Sequence, residues 1–410
     1  MNFMKQKKIL IAAHTSLFPK TMANQDRIFN LIRCLALDHI VDVVTPFRND
    51  HELSESRKHL EPICHRFFPL TAINPTLDHI KRKFHRLSSY CGYYVRGNPH
   101  LYYYSTHKQY MSALADILQA TRYDIVQAEY WFMAKCLTLM DYPVLKVIDT
   151  HDVLFDKFAQ TLHQKHGVAL SLFAARQLAR YKYLELTHLE YADLLLAIST
   201  SDREMFIKLG ITSETLLVPS GQDINYFNAL RAQPKEDVIL FYGTMGAQEN
   251  IDAFFRLWNK IFPRIKEKMP SAKILVVGAN PPDSIRQLAD EKSLSVTGFV
   301  DDVRPYLATA NVMLLPLDVA AGFRSRVVDV MAMGIPVVGT HKALDCIEMQ
   351  SGTHGFVEDS DEGMATHAVT LLSNIELRSR VSANCVRLAT DRYSTDATFG
   401  ALSGYYSKLN

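Results

Sequence analysis

The sequence predicts an α/β protein of two doubly wound parallel-sheet domains facing a cleft. Three observations predict it. Short apolar runs of strand length alternate with helical-length segments along most of the chain. Those runs are apolar throughout rather than every second residue, the pattern of strands covered on both faces. One stretch of weak periodicity, 218–235 with Pro219, Gly221 and Pro234, divides the alternation in two. A chain of 410 residues is also too long for one compact core. Its 45 Lys+Arg against 43 Asp+Glu leave a net charge of +2, and 48% of its residues are apolar. That composition excludes a disordered chain, a collagen-like repeat, a small disulfide scaffold and a surface coated with positive charge for nucleic acid.

The elements follow in order. In the first half the strand-like runs are 9–13, 41–45, 124–128, 144–149 and 194–198. Between the first two, Ile28, Leu31, Ile32 and Leu35 recur at helical spacing. In the second half the runs are 238–242, 273–277, 312–315 and 337–339. The expected organisation is one Rossmann-like domain over 1–217, a linker over 218–235 and a second Rossmann-like domain over 236–390. A last helix over 391–410 packs on either domain, crossing back to the first being one option. The apolar run at 9–13 is too short for a signal-peptide core and ends at His14. No run approaches the ~18 apolar residues of a spanning helix. The six cysteines are scattered without metal-ligand spacing, as reduced thiols are. The expected location is the cytoplasm.

In open parallel sheets ligands bind at the carboxyl ends of strands, so the chemistry is sought there. The segment 314–340 reads LLPLDVAAGFRSRVVDVMAMGIPVVGT. A strand ends at Pro316, a loop reaches Gly322, and a helix runs to Met333 before Gly334 and Pro336 stop it. Val327, Val328 and Met331 form its buried stripe; Arg324, Arg326 and Asp329 lie mostly off that stripe. Helix N–H groups beside two guanidiniums make an anion site suited to a diphosphate, with Asp329 placed to accept from ribose hydroxyls. The competing reading is a solvated helix start with surface arginines.

This segment resembles the donor-binding motif of the GT-B glycosyltransferases of family 4 (glycosyl transferases group 1), G-S-G-T-R-L-K-V-L-E-A-M-A-x-G-x-P-V-V. Gly322, Arg324, Val327, Met331, Ala332, Gly334, Pro336, Val337 and Val338 match it, while Arg326 replaces a lysine and Asp329 a glutamate. Upstream, 241–245 (FYGTM) with Asn250 is similar to the family's F-x-G-x-M…N loop, and 296–306 (VTGFVDDVRPY) to its V-x-G-x-V-x-D-V-x-P-Y segment. At 219–223, PSGQD stands where the family has P-N-G-V-D. The resemblance implies two Rossmann-like domains. It also implies donor contacts from Gly243, Thr244, Met245, Asn250, Gly298, Phe299, Val300, Gly322, Phe323, Arg324, Arg326 and Asp329.

In the first domain the stretch 18–27, FPKTMANQDR, lacks the glycines that family members usually carry there. Asn24 and Arg27 either supply side-chain contacts at the helix start or belong to an ordinary capped helix with Arg27 at the surface. In 147–152, VIDTHD, the strand ends in a polar cluster where related enzymes hold a histidine near the donor sugar. His151 takes that role, beside Asp152. Glu129 either orients an acceptor or is a loop charge. Finally, 79–115 has no acidic residue but interleaves Lys81, Arg82, Lys83, Arg86, Arg96 and Lys108 with seven tyrosines, among them Tyr90 and Tyr110. Such a stretch, centred on 79–110, suits an anionic membrane surface or is a partly buried helical pair with a basic face. Asp359-Ser360-Asp361 has a D-x-D form but reads as a solvated turn, and no metal or cofactor is expected.

The function these residues and the resemblance imply is sugar transfer from a nucleotide-diphosphate sugar to a glycan, lipid-linked or protein acceptor. The anomeric configuration is expected to be retained, without metal or nucleic acid, in the cytoplasm or at the inner face of the membrane. Arg324 and Arg326 stabilise the departing diphosphate, Asp329 holds ribose and His151 meets the sugar. Two other readings stand beside it: an inactive nucleotide-sugar-binding subunit, motivated by Ala321, Ser220 and the glycine-free loop, and a sugar-nucleotide epimerase on the same fold.

Overall fold

The computed structural model describes residues 5–20, 22–71, 108–166, 172–231, 234, 236–290, 292–319 and 322–409. The stretch 79–107 and Ala321 lie outside the described residues. The chain divides into two compact units, Met1–Gly221 with Thr398–Asn410, and Gln222–Ala397. The 218–235 stretch is therefore not one loose linker: the helix Ile224–Asn228 sits inside it and belongs to the second unit. Likewise 391–410 is not one helix. The helix Ile375–Tyr393 ends first, and the separate helix Ala401–Lys408 belongs to the first unit.

The first unit holds a seven-stranded sheet of β1 (Lys8–Ala12), β2 (Ile40–Phe47), β3 (Arg66–Thr71), β4 (Ile125–Glu129), β5 (Leu145–Asp149), β6 (Leu194–Ala197) and β7 (Glu214–Leu217). All pairings are parallel, in the order β3-β2-β1-β4-β5-β6-β7. Alternate side chains enter opposite faces, and both faces are buried. Leu10, Ala12, Val126, Ala128 and Ile148 pack with Trp131 and Phe132 on one face. Ile9, Ile11, Val43, Ile125 and Val147 pack on the other with Ile28, Leu31 and Leu35 of the helix Ala23–Asp38. Phe399, Leu402 and Tyr406 from the end of the chain complete this second face. Each fully buried Leu or Ile contributes roughly 1.5–3 kcal/mol.

The second unit holds β8 (Val238–Tyr242), β9 (Lys273–Val277), β10 (Leu294–Val296), β11 (Val312–Leu315), β12 (Val337–Gly339) and β13 (Gly355–Val357), parallel in the order β10-β9-β8-β11-β12-β13. Strand order reverses between β1 and β4 in one sheet and between β8 and β11 in the other. Loops part at such switch points, which leaves room for ligands.

The core strands stand where uniform apolar runs predict them. The sequence reading misses β3, β7, β10 and β13, each an outermost strand of its sheet. Edge strands are short and half covered, so their apolar signal is weak, and β3 even carries Pro69. Among the described residues no helix is long and apolar enough to cross a membrane. The described cysteines are free, and all but the half-buried Cys346 are buried.

Candidate functional site

Two clusters of functional side chains stand at the carboxyl ends of strands, one in each unit. In the first unit β4 and β5 end side by side, with Glu129 and Asp149 in register. Both carboxylates are fully buried, and both lie on the sheet face that carries the helix Ala23–Asp38. A buried charge needs a partner, and Asp149 has one. Arg27 donates from Nε to Oδ2 and from Nη2 to Oδ1, each at 2.9 Å. Arg27 is thus not at the surface, and its Nη1 is buried without a hydrogen bond among the described residues. The residue is 1% exposed and lies on the stripe of Leu31 and Leu35, one and two turns on.

Glu129 is not a loop charge either. It is the last residue of β4, and its Oε2 lies 2.7 Å from Nε2 of His151. Its Oε1 accepts from the Gln127 side-chain amide at 2.8 Å. Burial raises the proton affinity of Glu129, and the hydrogen bond from His151 works against that rise. His151 is buried, and its ring stacks on Tyr130 with centroids 4.1 Å apart and planes 8° apart. Tyr130 and His151 both have positive φ, 71° and 57°, a region that costs a non-glycine residue about 1–3 kcal/mol. The strain sits at the two adjoining strand ends where the charges gather, as it does at working sites.

The remaining first-unit residues surround this group. His14 meets the edges of Tyr130 and Phe132, both at 4.9 Å. Burial, with the charge of His151 second, pulls the His14 pKa down to about 3, so its imidazole is neutral at physiological pH. Asn24 lies in the first turn of Ala23–Asp38, with a buried Oδ1 that accepts no hydrogen bond among the described residues. Asp152 is half-buried and pairs with Lys157 at 3.2 Å. Glu129, Asp149 and His151 offer ligand atoms within 4.8 Å of one another, a grouping a metal ion is able to join. The Arg27 guanidinium already occupies both Asp149 oxygens with positive charge.

In the second unit the helix Ser325–Ala332 follows the loop after β11. It is buried nearly all round, including Asp329 and Arg324 at 7% exposure each, so these two do not lie on a solvated side. Arg324 faces inward as a clamp. Its Nε donates to Ala343 O, its Nη1 to Gly322 O, and its Nη2 to Lys342 O and the Asp345 carboxylate. Those contacts tie the helix start to the segment after β12, so every Arg324 nitrogen is engaged.

Arg326 is different. Its Nη1 donates to Tyr242 O at 3.0 Å and its Nη2 to Asn250 Oδ1 at 2.9 Å, both neutral acceptors. Among the described residues no carboxylate lies within ion-pair distance of it. Removal from water, then the nearby charge of Arg324, lowers its pKa to about 10. Gly243 makes room for it, since a Cβ there would fall 1.7 Å from Arg326 Nη1. Gly278, which the sequence reading passes over, lets the two loops meet, since its Cβ would fall 1.8 Å from Gly243 O. Asn250 joins loop to arginine, donating to Thr244 O at 2.8 Å while accepting from Arg326. Thr244 is exposed and Met245 buried beneath it.

Phe323 packs against Tyr393 and Gly322 has φ 78°. After β10, Gly298 turns with φ 72°, Phe299 stands 76% exposed and Val300 is half-buried. The D-x-D segment is a helix start rather than a free turn. Ser360 accepts from Gly363 N, Asp361 pairs with Arg256 at 2.7 Å, and Asp359 pairs with His341 at 2.8 Å. Of the residues that complete these clusters, Gln127 and Tyr130 are not singled out by the sequence, His14 appears there only as the end of the first apolar run, and Asp149 only as a member of the polar cluster 147–152. A signal existed for Gln127 and Asp149: polar residues at alternate positions of an otherwise apolar strand.

Residues 236–374 match the family described as Glycosyl transferases group 1. No curated protein sequence matches the chain. Among solved structures, sucrose-phosphate synthase from Thermosynechococcus elongatus is 16% identical, with 99% of each chain covered and a TM-score of 0.67. Anabaena HepE in complex with UDP is 15% identical, with 98% of this chain and 100% of that one covered and a TM-score of 0.64. TarM is 11% identical, with 98% and 99% covered and a TM-score of 0.68. At such identities the structural likeness carries the fold, which is GT-B. The match of 236–374 to glycosyl transferases group 1, together with that fold, supports a glycosyltransferase.

Proposed function

We propose that the chain transfers a sugar from a nucleotide-diphosphate sugar to a glycan, lipid-linked or protein acceptor, with retention and without a metal. One observation carries this reading. Arg326 is a guanidinium drawn out of water at a helix start, beside a second cation, with only neutral acceptors around it. An anion is the missing partner, and a diphosphate matches both the fork of the guanidinium and the helix N–H groups. In this reading Arg326 meets the diphosphate directly and Arg324 holds the helix start in place. Gly243, Thr244 and Asn250 line the approach, Asp329 holds ribose, and the base rests along Gly298, Phe299 and Val300. HepE has been solved with UDP and with UDP-glucose, which supports a uridine donor.

His151 meets the transferred sugar. Its burial against Tyr130 and its hydrogen bond to Glu129 support that role, since a positioned imidazole beside a carboxylate is able to carry positive charge as the glycosidic bond breaks. Charge on the departing diphosphate falls to Arg326, which supplies without a metal what a metal ion supplies elsewhere. The basic, tyrosine-rich stretch 79–110 is assigned to an anionic membrane surface bearing the acceptor. Salt-sensitive flotation with anionic liposomes tests that part.

The experiment for the whole reading is a thermal-shift screen of sugar nucleotides followed by turnover of the best ligand with candidate acceptors. A ligand present at 100 times its Kd raises stability by about 2.7 kcal/mol. A glycoside product with release of nucleoside diphosphate is the expected outcome. Binding without turnover points to an inactive subunit, and an isomerised sugar nucleotide to an epimerase.

A further inference from the structure

We propose that Gln127 and Tyr406 are positioning residues that hold the shared proton of the Glu129–His151 pair on the Oε2···Nε2 line. The proposal rests on the reading of His151 given above but reaches residues outside the family's donor motif. Tyr406 lies on the helix Ala401–Lys408, and its hydroxyl donates to Gln127 Oε1 at 3.1 Å. The Gln127 amide passes the order on, donating from Nε2 to Glu129 Oε1 at 2.8 Å. Glu129 Oε2 then faces His151 Nε2 at 2.7 Å. Four polar side chains therefore form one line from the last helix of the chain, through β4, to the loop after β5.

The fold itself has little use for this line. Gln127 points from the middle of a central strand into an apolar face, between Ile125 and the strand end, and is fully buried, as is Tyr406. Valine or isoleucine serves that position better, because a buried amide contributes nothing unless every hydrogen bond is made. The line has a direction, and direction is what it supplies. Burial drives ionisation of the Tyr406 hydroxyl far out of reach, so it stays a donor. That fixes which end of the Gln127 amide faces Glu129, and so makes Oε1 an acceptor. The proton of the Glu129–His151 pair is left one place, between Oε2 and Nε2, which sets the tautomer and ring angle of His151.

The other groups around the pair do not compete for that proton. Asp149 is occupied by Arg27, His14 is held neutral by burial, Tyr130 offers its ring face, and Asp152 is turned to Lys157.

The test is Tyr406→Phe, which removes one oxygen and leaves the ring in place, with Gln127→Leu as the stronger change. In 15N-histidine NMR of the full chain, His151 is identified among 16 histidines by subtracting His151→Gln. It is expected in the Nε2–H form in the parent, and Tyr406→Phe is expected to shift and broaden that signal. In kinetics with the best sugar nucleotide, Tyr406→Phe is expected to lower kcat about fivefold, the loss of one buried hydrogen bond between neutral groups. The donor KM stays within about twofold, since nucleotide contacts are untouched. The acid limb of the kcat–pH profile moves to higher pH, because Glu129 loses support for its ionised form. A Tyr406→Phe protein with parental melting, an unmoved His151 signal and parental kcat overturns the relay. If the parent turns over no sugar nucleotide, the proposed function fails instead, and the NMR arm still decides the relay.

Discussion

At its strand ends the first unit buries its charges in pairs, while the second unit holds Arg326 on neutral acceptors alone. Arg27 and Asp149 satisfy each other through two hydrogen bonds of 2.9 Å, and Glu129 is satisfied by His151 and Gln127. Arg324 is held by carbonyls of Ala343, Gly322 and Lys342 and by the Asp345 carboxylate, whereas Arg326 has only one carbonyl and one amide. A closed pair carries no net charge and serves as a rigid frame for what lies beside it. A cation on neutral acceptors keeps its net charge, so the field it projects is available to an arriving anion. The difference teaches how to sort buried arginines: ask whether a carboxylate is already there.

Breaking the closed pair gives the largest expected effect. Arg27→Met leaves the Asp149 carboxylate buried without its partner, and urea unfolding is expected to report a loss of about 3–5 kcal/mol. The double change Arg27→Met with Asp149→Leu recovers most of that loss, because it removes the stranded charge. A double variant as unstable as the single one refutes the pairing account.

Glu185 sharpens the comparison, since it is a buried carboxylate of the first unit held without a cation. It accepts from Leu154 N at 2.9 Å and Phe155 N at 2.7 Å at a helix start. Burial nevertheless raises its pKa to about 8, against the pull of those two donors. With the folded pKa above the unfolded one, its stabilisation is full below about pH 4.5 and is lost as pH climbs to about 8. The slope is at most about 1.4 kcal/mol per pH unit. Melting curves between pH 5 and pH 8 should show the decline, and Glu185→Gln should flatten it.

The next effect separates the two arginines of the second unit. Arg324→Met is expected to lower stability by about 2 kcal/mol, through loss of hydrogen bonds from a charged donor. Its effect on nucleotide affinity is indirect and smaller than that of Arg326→Met. Denaturation and binding measured on both variants check the split, and equal loss of binding without loss of stability contradicts it.

How much of this was legible in the sequence follows from the same physics. The inner strands announce themselves because burial on both faces makes every residue apolar. The outermost four do not, because one side lacks a neighbour. The segment 314–340 was legible as loop, helix and cations, since side-chain type carries that information. The partners of Arg324 were not, because main-chain carbonyls leave no trace in residue identity. Arg27 lies between these cases. It stands on the apolar stripe of its own helix, four and eight residues before Leu31 and Leu35, and that position signals an inward charge. Its partner, 122 residues away, is visible only once β5 is laid beside β4. The Gln127–Tyr406 contact is farther still, 279 residues apart, and depends on the chain end returning to the first unit.

In the proposed function Arg326 receives the diphosphate of a sugar nucleotide. Calorimetric titration of UDP, GDP and ADP into the parent chain and into Arg326→Met tests it most directly. One nucleotide is expected to bind the parent in the micromolar range and Arg326→Met to weaken it at least about tenfold, the loss of a charge-assisted contact. No binding of any nucleotide, or equal binding to parent and variant, contradicts it.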